Sequence, residues 1–287
     1  MSVDAGVRWA ESVWGRRVTG VRPLTGGWTS TVLRLDGDDG ERAVLRLLTK
    51  DPWRRHADGL LNREAAVQKT LAGSSIPVAR SLALDVTGAG AGSPAHLMSW
   101  LPGRLRLDTT EVVEPLAHLL ADIHRVADRP RDYQSWAPPG KRVVPQWSRR
   151  PALWQQAFRV LEQPPPDFRG TFLHRDFHLG NVLWSRGEVT GVVDWVEASW
   201  GPAGLDVAHA ATYLAMLHGI AAATAFTGAY RRRTAGPDAE SPYWTVMDIV
   251  GYLPDPAKVA QPWRDCGRLV TDDQARHRLE EWLAVTL

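Results

Sequence analysis

Asp176, Asn181 and Asp194 are residues whose types and spacing could do chemistry. They lie in the stretch 171–206, TFLHRDFHLGNVLWSRGEVTGVVDWVEASWGPAGLD. A carboxylate can accept the proton of an attacking hydroxyl. Hard oxygen ligands can hold Mg²⁺, which favours one or two carboxylates together with phosphate oxygens and water. That set suits phosphoryl transfer, where the protein mainly positions groups and neutralises charge. The local pattern can gather the three. An apolar run at 171–173 leads into His174-Arg175-Asp176, and 182–184 reads as a strand. Ser185-Arg186-Gly187-Glu188 can turn it, and 189–193 reads as the return strand delivering Asp194, so the three side chains are predicted on one hairpin edge.

His174, Arg175, Asp176 and Asn181 spell the kinase catalytic-loop pattern H-R-D-x-x-x-x-N literally. Asp194-Trp195-Val196 stands where kinases carry D-F-G, keeping the Asp and losing the Phe and the Gly. The whole stretch resembles the aminoglycoside phosphotransferase and choline kinase-like family of small-molecule kinases, through HRDFHLGNVLW, TGVVDW and GPAGLDVAHA. The resemblance is strong in the second half of the chain and looser before it. It implies an α+β, two-lobe protein-kinase-like fold. A small antiparallel-sheet lobe would occupy 1–97, a hinge 98–103, and a larger, mostly helical lobe 104–287, which would carry the catalytic hairpin. It further implies ATP or GTP as co-substrate, Mg²⁺, and a small hydroxylated acceptor. Asp176 would then be the base and Asn181 and Asp194 the Mg²⁺ ligands. Aminoglycosides, other antibiotics, choline-like amines, sugars and amino alcohols all stay open as acceptors.

The elements that must position these groups can be followed from the start. Residues 3–14 have the spacing of an amphipathic helix, and 18–23 of a first strand. Thr25-Gly26-Gly27-Trp28-Thr29-Ser30-Thr31-Val32 comes between strands, where glycine lets backbone approach phosphates. Against the kinase G-x-G-x-x-G-x-V only Gly27 and Val32 fit, so the Thr29 and Ser30 hydroxyls are candidates to replace missing phosphate donors. A plain hairpin turn is the alternative. Strands at 32–35 and 42–48 flank the turn Gly37-Asp38-Asp39-Gly40. Arg46 falls where kinases carry the phosphate-pairing Lys, and Glu64, on a helix predicted over 58–71 and closed by Gly73, is its candidate partner. The alternatives are a solvated strand residue and an ordinary surface Glu. The strand from His96 ends in Pro102-Gly103, which suits a hinge between lobes. There Ser99, Trp100 and Leu101 are candidates to hold the nucleotide base, through backbone and the Trp100 face, with a core strand plus turn as the alternative.

Beyond the hinge, helical spacing covers 108–126, with Asp108 and Glu111 as an expected capping box. Helices are also predicted over 151–162, 205–227, 240–252 and 272–285, with loop at 128–149. Arg175 and His174 read as braces of the loop, and His178 as a packing or substrate-contacting residue. Asp206 has two readings, a helix N-cap or a tie between its helix and the catalytic loop.

Composition bounds the function classes. The chain has 287 residues, 44% apolar and 23% charged, with a net charge of +2. That is ordinary globular make-up, giving no electrostatic case for nucleic acid or a membrane surface. The start has no charged-then-apolar signal pattern, and no apolar run reaches the ~20 residues that span a bilayer. The one cysteine, Cys266, fits a reducing cytoplasm. Two rivals remain: a hydrolase with a metal on His174, Asp176 and His178, and a non-catalytic nucleotide-binding pseudokinase.

Overall fold

The computed structural model describes residues 3–25, 29–109, 111–234 and 241–287. In chain order the first elements are α1 (Val3–Trp14), β1 (Val18–Pro23), β2 (Thr31–Gly37), β3 (Arg42–Leu47), α2 (Ala57–Leu71), β4 (Ser81–Asp85), β5 (Ala95–Ser99) and β6 (Arg104–Leu105). Then come α3 (Val113–Ile123), α4 (Pro151–Glu162), β7 (Gly170–Leu173), β8 (Val182–Ser185), β9 (Glu188–Val192) and β10 (Ser199–Pro202). Among the described residues the chain closes with α5 (Gly204–His218), α6 (Ile220–Thr234), α7 (Pro242–Gly251), α8 (Ala257–Asp265) and α9 (Asp272–Thr286). They form two compact units, Met1–Leu105 with Gly180–Glu197, and Arg106–Leu179 with Ala198–Leu287. The first is sheet-rich and the second mostly helical, which is the composition of a two-lobe, protein-kinase-like α+β fold.

In the sheet unit the antiparallel order is β1-β2-β3-β5-β4. The period of two decides what each face does. Ala43, Leu45 and Leu47 of β3 and Ala95 and Leu97 of β5 enter a core that includes Ala10 of α1. The alternate residues Val44 and Arg46 of β3, and His96 and Met98 of β5, therefore face the other way. The register sets Arg46 directly opposite His96. Helix α1 lies close on the core face: a Cβ on Gly6 would come within 3.0 Å of a Leu47 methyl.

The hairpin β8–β9 makes a three-stranded sheet with β6. Within this unit Val192 N donates to Pro77 O at 2.7 Å and Thr190 Oγ1 to Pro102 O at 2.6 Å. The units thus divide the chain differently from a boundary at 97 with the hairpin in 104–287, since 98–105 and 180–197 group with the sheet.

The helical unit is built around α5, whose residues from Gly204 to Leu217 are all buried, an all-round burial that suits its Ala-rich sequence. The helix expected over 205–227 is two helices. Gly219 separates them with φ 91°, a left-handed backbone that glycine adopts without a side-chain clash. The capping box expected from Asp108 and Glu111 is not formed. Helix α3 starts at Val113, and Asp108 instead accepts a hydrogen bond from Arg106. The reciprocal box occurs at α9, between Thr271 and Gln274. At α2, Ala72 takes the C-cap place expected of Gly73. Helix α8, with Pro262 inside it, and strand β10, paired with β7, were not expected from the pattern. Among the described residues no helix is long and apolar enough to cross a membrane.

Candidate active site

In the sheet unit one pocket is lined by Thr29, Ser30, Arg46, Glu64, Ser99, Trp100, Leu101, Asn181 and Asp194. These are all the described residues that the sequence assigns to nucleotide and metal; Gly27 lies outside the described residues. The walls between them are apolar, with Val44, Met98, Leu105, Leu183 and Val192. Arg46 is not a solvated strand residue. It is 7% exposed, and its Nη1 stands 2.8 Å from Asp194 Oδ1 and 3.3 Å from Glu64 Oε1. Glu64, 1% exposed, is no surface Glu: its Oε2 meets His96 Nδ1 at 2.9 Å. Strand register puts the Arg and the His side by side, and one carboxylate from α2 serves both. Burial alone would raise the Glu64 pKa. The Arg46 charge and the His96 hydrogen bond outweigh it and hold the group at about 2.

Asp194 has φ 67°, the left-handed region, which Asp tolerates better than most residues. It lies two residues past the end of β9, and between them Val193 N donates to Asn181 O at 3.0 Å and fixes the two metal candidates to one backbone frame. Their donors are a carboxylate and a carboxamide, the hard oxygen chemistry that Mg²⁺ takes. The residues present therefore fit such an ion.

Asp176 belongs to the helical unit, on the loop after β7. Asp206, at the start of α5, ties that loop down. Its Oδ2 accepts from His174 N at 2.7 Å and its Oδ1 from Arg175 N at 2.8 Å. His124 Nε2 lies 3.3 Å from Oδ2. Of the two readings of Asp206, the tie is the one observed. Arg175 holds φ 74°, donates to Gln134 O at 3.0 Å and lies over the Trp136 ring at 4.3 Å, so it braces the loop. His174 Nδ1 accepts from Asp176 N at 3.3 Å. Its ring thus serves the loop backbone, and among the described residues no three His, Cys, Asp or Glu are grouped to hold a metal.

The Asp176 side chain is 32% exposed, and its Oδ1 stands 3.4 Å from His178 Nε2 and 3.1 Å from His209 Nε2. Burial of its inner side opposes ionisation, but the His178 charge and hydrogen bond, with those of His209, hold it well below the usual carboxylate range. His209 was missed in the sequence, as was His96. In each case the signal was present: His96 sits opposite Arg46 by register, and His209 follows Asp206 by one helical turn.

The model of the phosphotransferase enzyme family, APH, matches residues 20–243. The chain belongs to this family. Similarity to solved structures extends almost end to end. A thermostable mutant of aminoglycoside phosphotransferase APH(4)-Ia, in ternary complex with ADP and hygromycin B, is 18% identical, with 97% of each chain covered and a TM-score of 0.67. Spectinomycin phosphotransferase APH(9)-Ia, in complex with ADP and spectinomycin, is 12% identical, covering 99% of this chain and 94% of that one, with a TM-score of 0.64. An amicoumacin kinase in complex with AMP-PNP and Ca²⁺ is 14% identical, covering 93% and 88%, with a TM-score of 0.61. Among curated proteins, acyl-CoA dehydrogenase family member 10 of Mus musculus is 24% identical over 177 residues. That match takes in 52% of this chain and 16% of the mouse protein, so the chain spans a small part of that relative's length.

Proposed function

We propose that this protein transfers the γ-phosphoryl group of ATP or GTP to a hydroxyl of a small molecule. The observation that carries the reading is the lining of the sheet-unit pocket, where every described residue expected to meet nucleotide or metal is found. The structures it resembles include complexes with ADP or AMP-PNP beside a small antibiotic, which supports the same class of reaction here.

In this reading Ser99, Trp100 and Leu101 hold the nucleotide base, Thr29 and Ser30 donate to phosphate oxygens, and Arg46 clamps them. Glu64 and His96 keep the Arg46 guanidinium in place. Mg²⁺ held by Asn181 and Asp194 would neutralise charge on the β- and γ-phosphate oxygens. Asp176 orients the acceptor hydroxyl and takes its proton. The bond from acceptor oxygen to γ-phosphorus forms, the bond from that phosphorus to the β–γ bridging oxygen breaks, and the nucleoside diphosphate leaves.

The test is a coupled assay of diphosphate release with Mg²⁺–ATP and Mg²⁺–GTP, run over hydroxylated antibiotics, sugars and amino alcohols. Release that depends on one acceptor class, with phosphate appearing on that acceptor, is the expected result. Nucleotide binding without transfer to any acceptor or to water would leave the pseudokinase reading in its place.

A further inference from the structure

The loop carboxylate has a partner that lies outside the H-R-D-x-x-x-x-N pattern. His209 lies on α5, one helical turn beyond Asp206, so the helix that braces the loop also reaches Asp176. Its Nε2 is 3.1 Å from Asp176 Oδ1 and its Nδ1 is 2.8 Å from Asp248 Oδ1 on α7. An ionised carboxylate only accepts hydrogen bonds, while a neutral imidazole carries one N–H. With a carboxylate oxygen at each nitrogen, the ring can donate to both only as an imidazolium. Asp248 points to the same conclusion. It is buried, and its Oδ2 has no hydrogen-bond partner among the described residues. A carboxylate so placed is strongly unfavourable unless a cation adjoins it; the Lys141 charge acts on it from a distance, and His209 is the ring in direct contact with its Oδ1.

We propose that His209 and Asp248 are positioning residues for the phosphoryl-transfer carboxylate: Asp248 holds His209 as an imidazolium, and His209 fixes the orientation and ionisation of Asp176. Asp176 then stays charged beside the acceptor, and the hydroxyl proton goes to Asp176 while His209 keeps both of its own.

The groups facing His209 from each side agree with this. From the loop come Asp176 and the His178 ring, whose centroid is 6.1 Å away. From α7 and its end come Asp248 and Tyr252, whose ring stacks on His209 with 12° between the planes and whose hydroxyl is 3.4 Å from Nδ1. Tyr213 of α5 and Trp136 meet the ring by their edges. Burial lifts the Tyr213 and Tyr252 hydroxyls well above their ordinary range, so both stay neutral and the two aspartates are the only anions at the ring among these groups. Burial alone would lower the His209 pKa, but the Asp248 charge and the hydrogen bonds to Asp176 and Asp248 push it up to about 9.

The rate arm of the test rests on the phosphoryl-transfer reading; the titration arm does not. The full chain, labelled with ¹⁵N-histidine, is titrated by NMR, and the His209→Gln spectrum identifies the resonance. The rate is diphosphate release from Mg²⁺–ATP with water as acceptor. His209 should remain imidazolium past pH 8 in the wild type. In Asp248→Asn its midpoint should fall by more than one pH unit, with turnover about tenfold lower and the KM for ATP within twofold. His209→Gln keeps a neutral donor toward Asp176, so its rate should fall while the alkaline limb near pH 9 disappears. A neutral His209 at pH 7 in the wild type would overturn the proposal. So would an Asp248→Asn protein with unchanged titration and turnover. Should Asp248→Asn fail to fold, the His209→Gln profile decides: an alkaline limb unaltered from wild type contradicts the proposal. A wild type that neither binds nor turns over ATP would instead remove the kinase reading, and the titration alone would then decide whether His209 is held as a cation.

Discussion

Arg46 is the residue at which charge, register and burial meet. It pairs with Glu64 and Asp194 inside the pocket, so its loss would leave Glu64 buried with His96 and the Trp195 backbone but without its guanidinium partner. Removing one partner of a buried ion pair typically costs ~3–5 kcal/mol. Arg46→Ala should therefore lower the urea midpoint as well as weaken nucleotide binding more than tenfold, whereas an outward strand arginine would do neither. Arg46→Lys keeps the charge without the planar fork and should hold nucleotide affinity within a few-fold. Calorimetric titration of both variants checks this, and unchanged affinity in the Ala variant rules out the phosphate clamp. Glu64 adds a pH dependence. Its pKa is held at about 2 in the folded chain against an ordinary value of 4.5. Its contribution to stability is present above pH 4.5 and is lost as pH falls from there toward 2. At ~1.4 kcal/mol per pKa unit this is on the order of 3 kcal/mol. Denaturation midpoints between pH 5 and pH 2.5 should fall more steeply in the wild type than in Glu64→Gln. Parallel curves would show that the carboxylate is not held in this way.

At the scale of elements, α5 organises the catalytic loop. Asp206→Ala would leave the buried His174 and Arg175 N–H groups without their acceptor, at ~1–3 kcal/mol each. The variant should lose stability and most turnover together. A variant as stable as wild type would show that Asp206 is not the brace. These elements also mark how far the sequence could be read. The β8–β9 hairpin, the helix α4 and the strand carrying Arg46 were legible because periodicity and turn residues are local signals. The pairing of Arg46 with Glu64 was reached only through the kinase pattern, and His96 and His209 not at all. Their link to Arg46 by register and to Asp206 by one helical turn was there to find, but the carboxylates they meet lie at least 32 residues away, and no local rule encodes those. The capping box at Asp108 failed because two acidic residues at the right spacing say nothing about where tertiary packing starts a helix. The break at Gly219 was hidden by alanines on both sides of it. The Gly-rich segment stays an expectation at Gly27, which lies outside the described residues.

For the molecule as a whole the proposed reading gives the sheet unit the nucleotide, while the helical unit presents a braced carboxylate. A ligand that binds only the folded state raises stability by mass action, about 2.7 kcal/mol at 100 times its Kd. Tm should therefore rise with ATP or GTP plus Mg²⁺, and less when EDTA removes the metal. An identical rise with and without EDTA would remove Asn181 and Asp194 as metal ligands. The central claim, that Asp176 receives the acceptor proton in phosphoryl transfer, is tested most directly by Asp176→Asn. The change is nearly isosteric and removes the proton acceptor, and general-base catalysis contributes ~10²–10⁴-fold. The measurement is kcat for diphosphate release from Mg²⁺–nucleotide, to the identified acceptor or to water, alongside nucleotide Kd. The account predicts a fall in kcat of that order with Kd held within a few-fold, and full turnover in Asp176→Asn would contradict it.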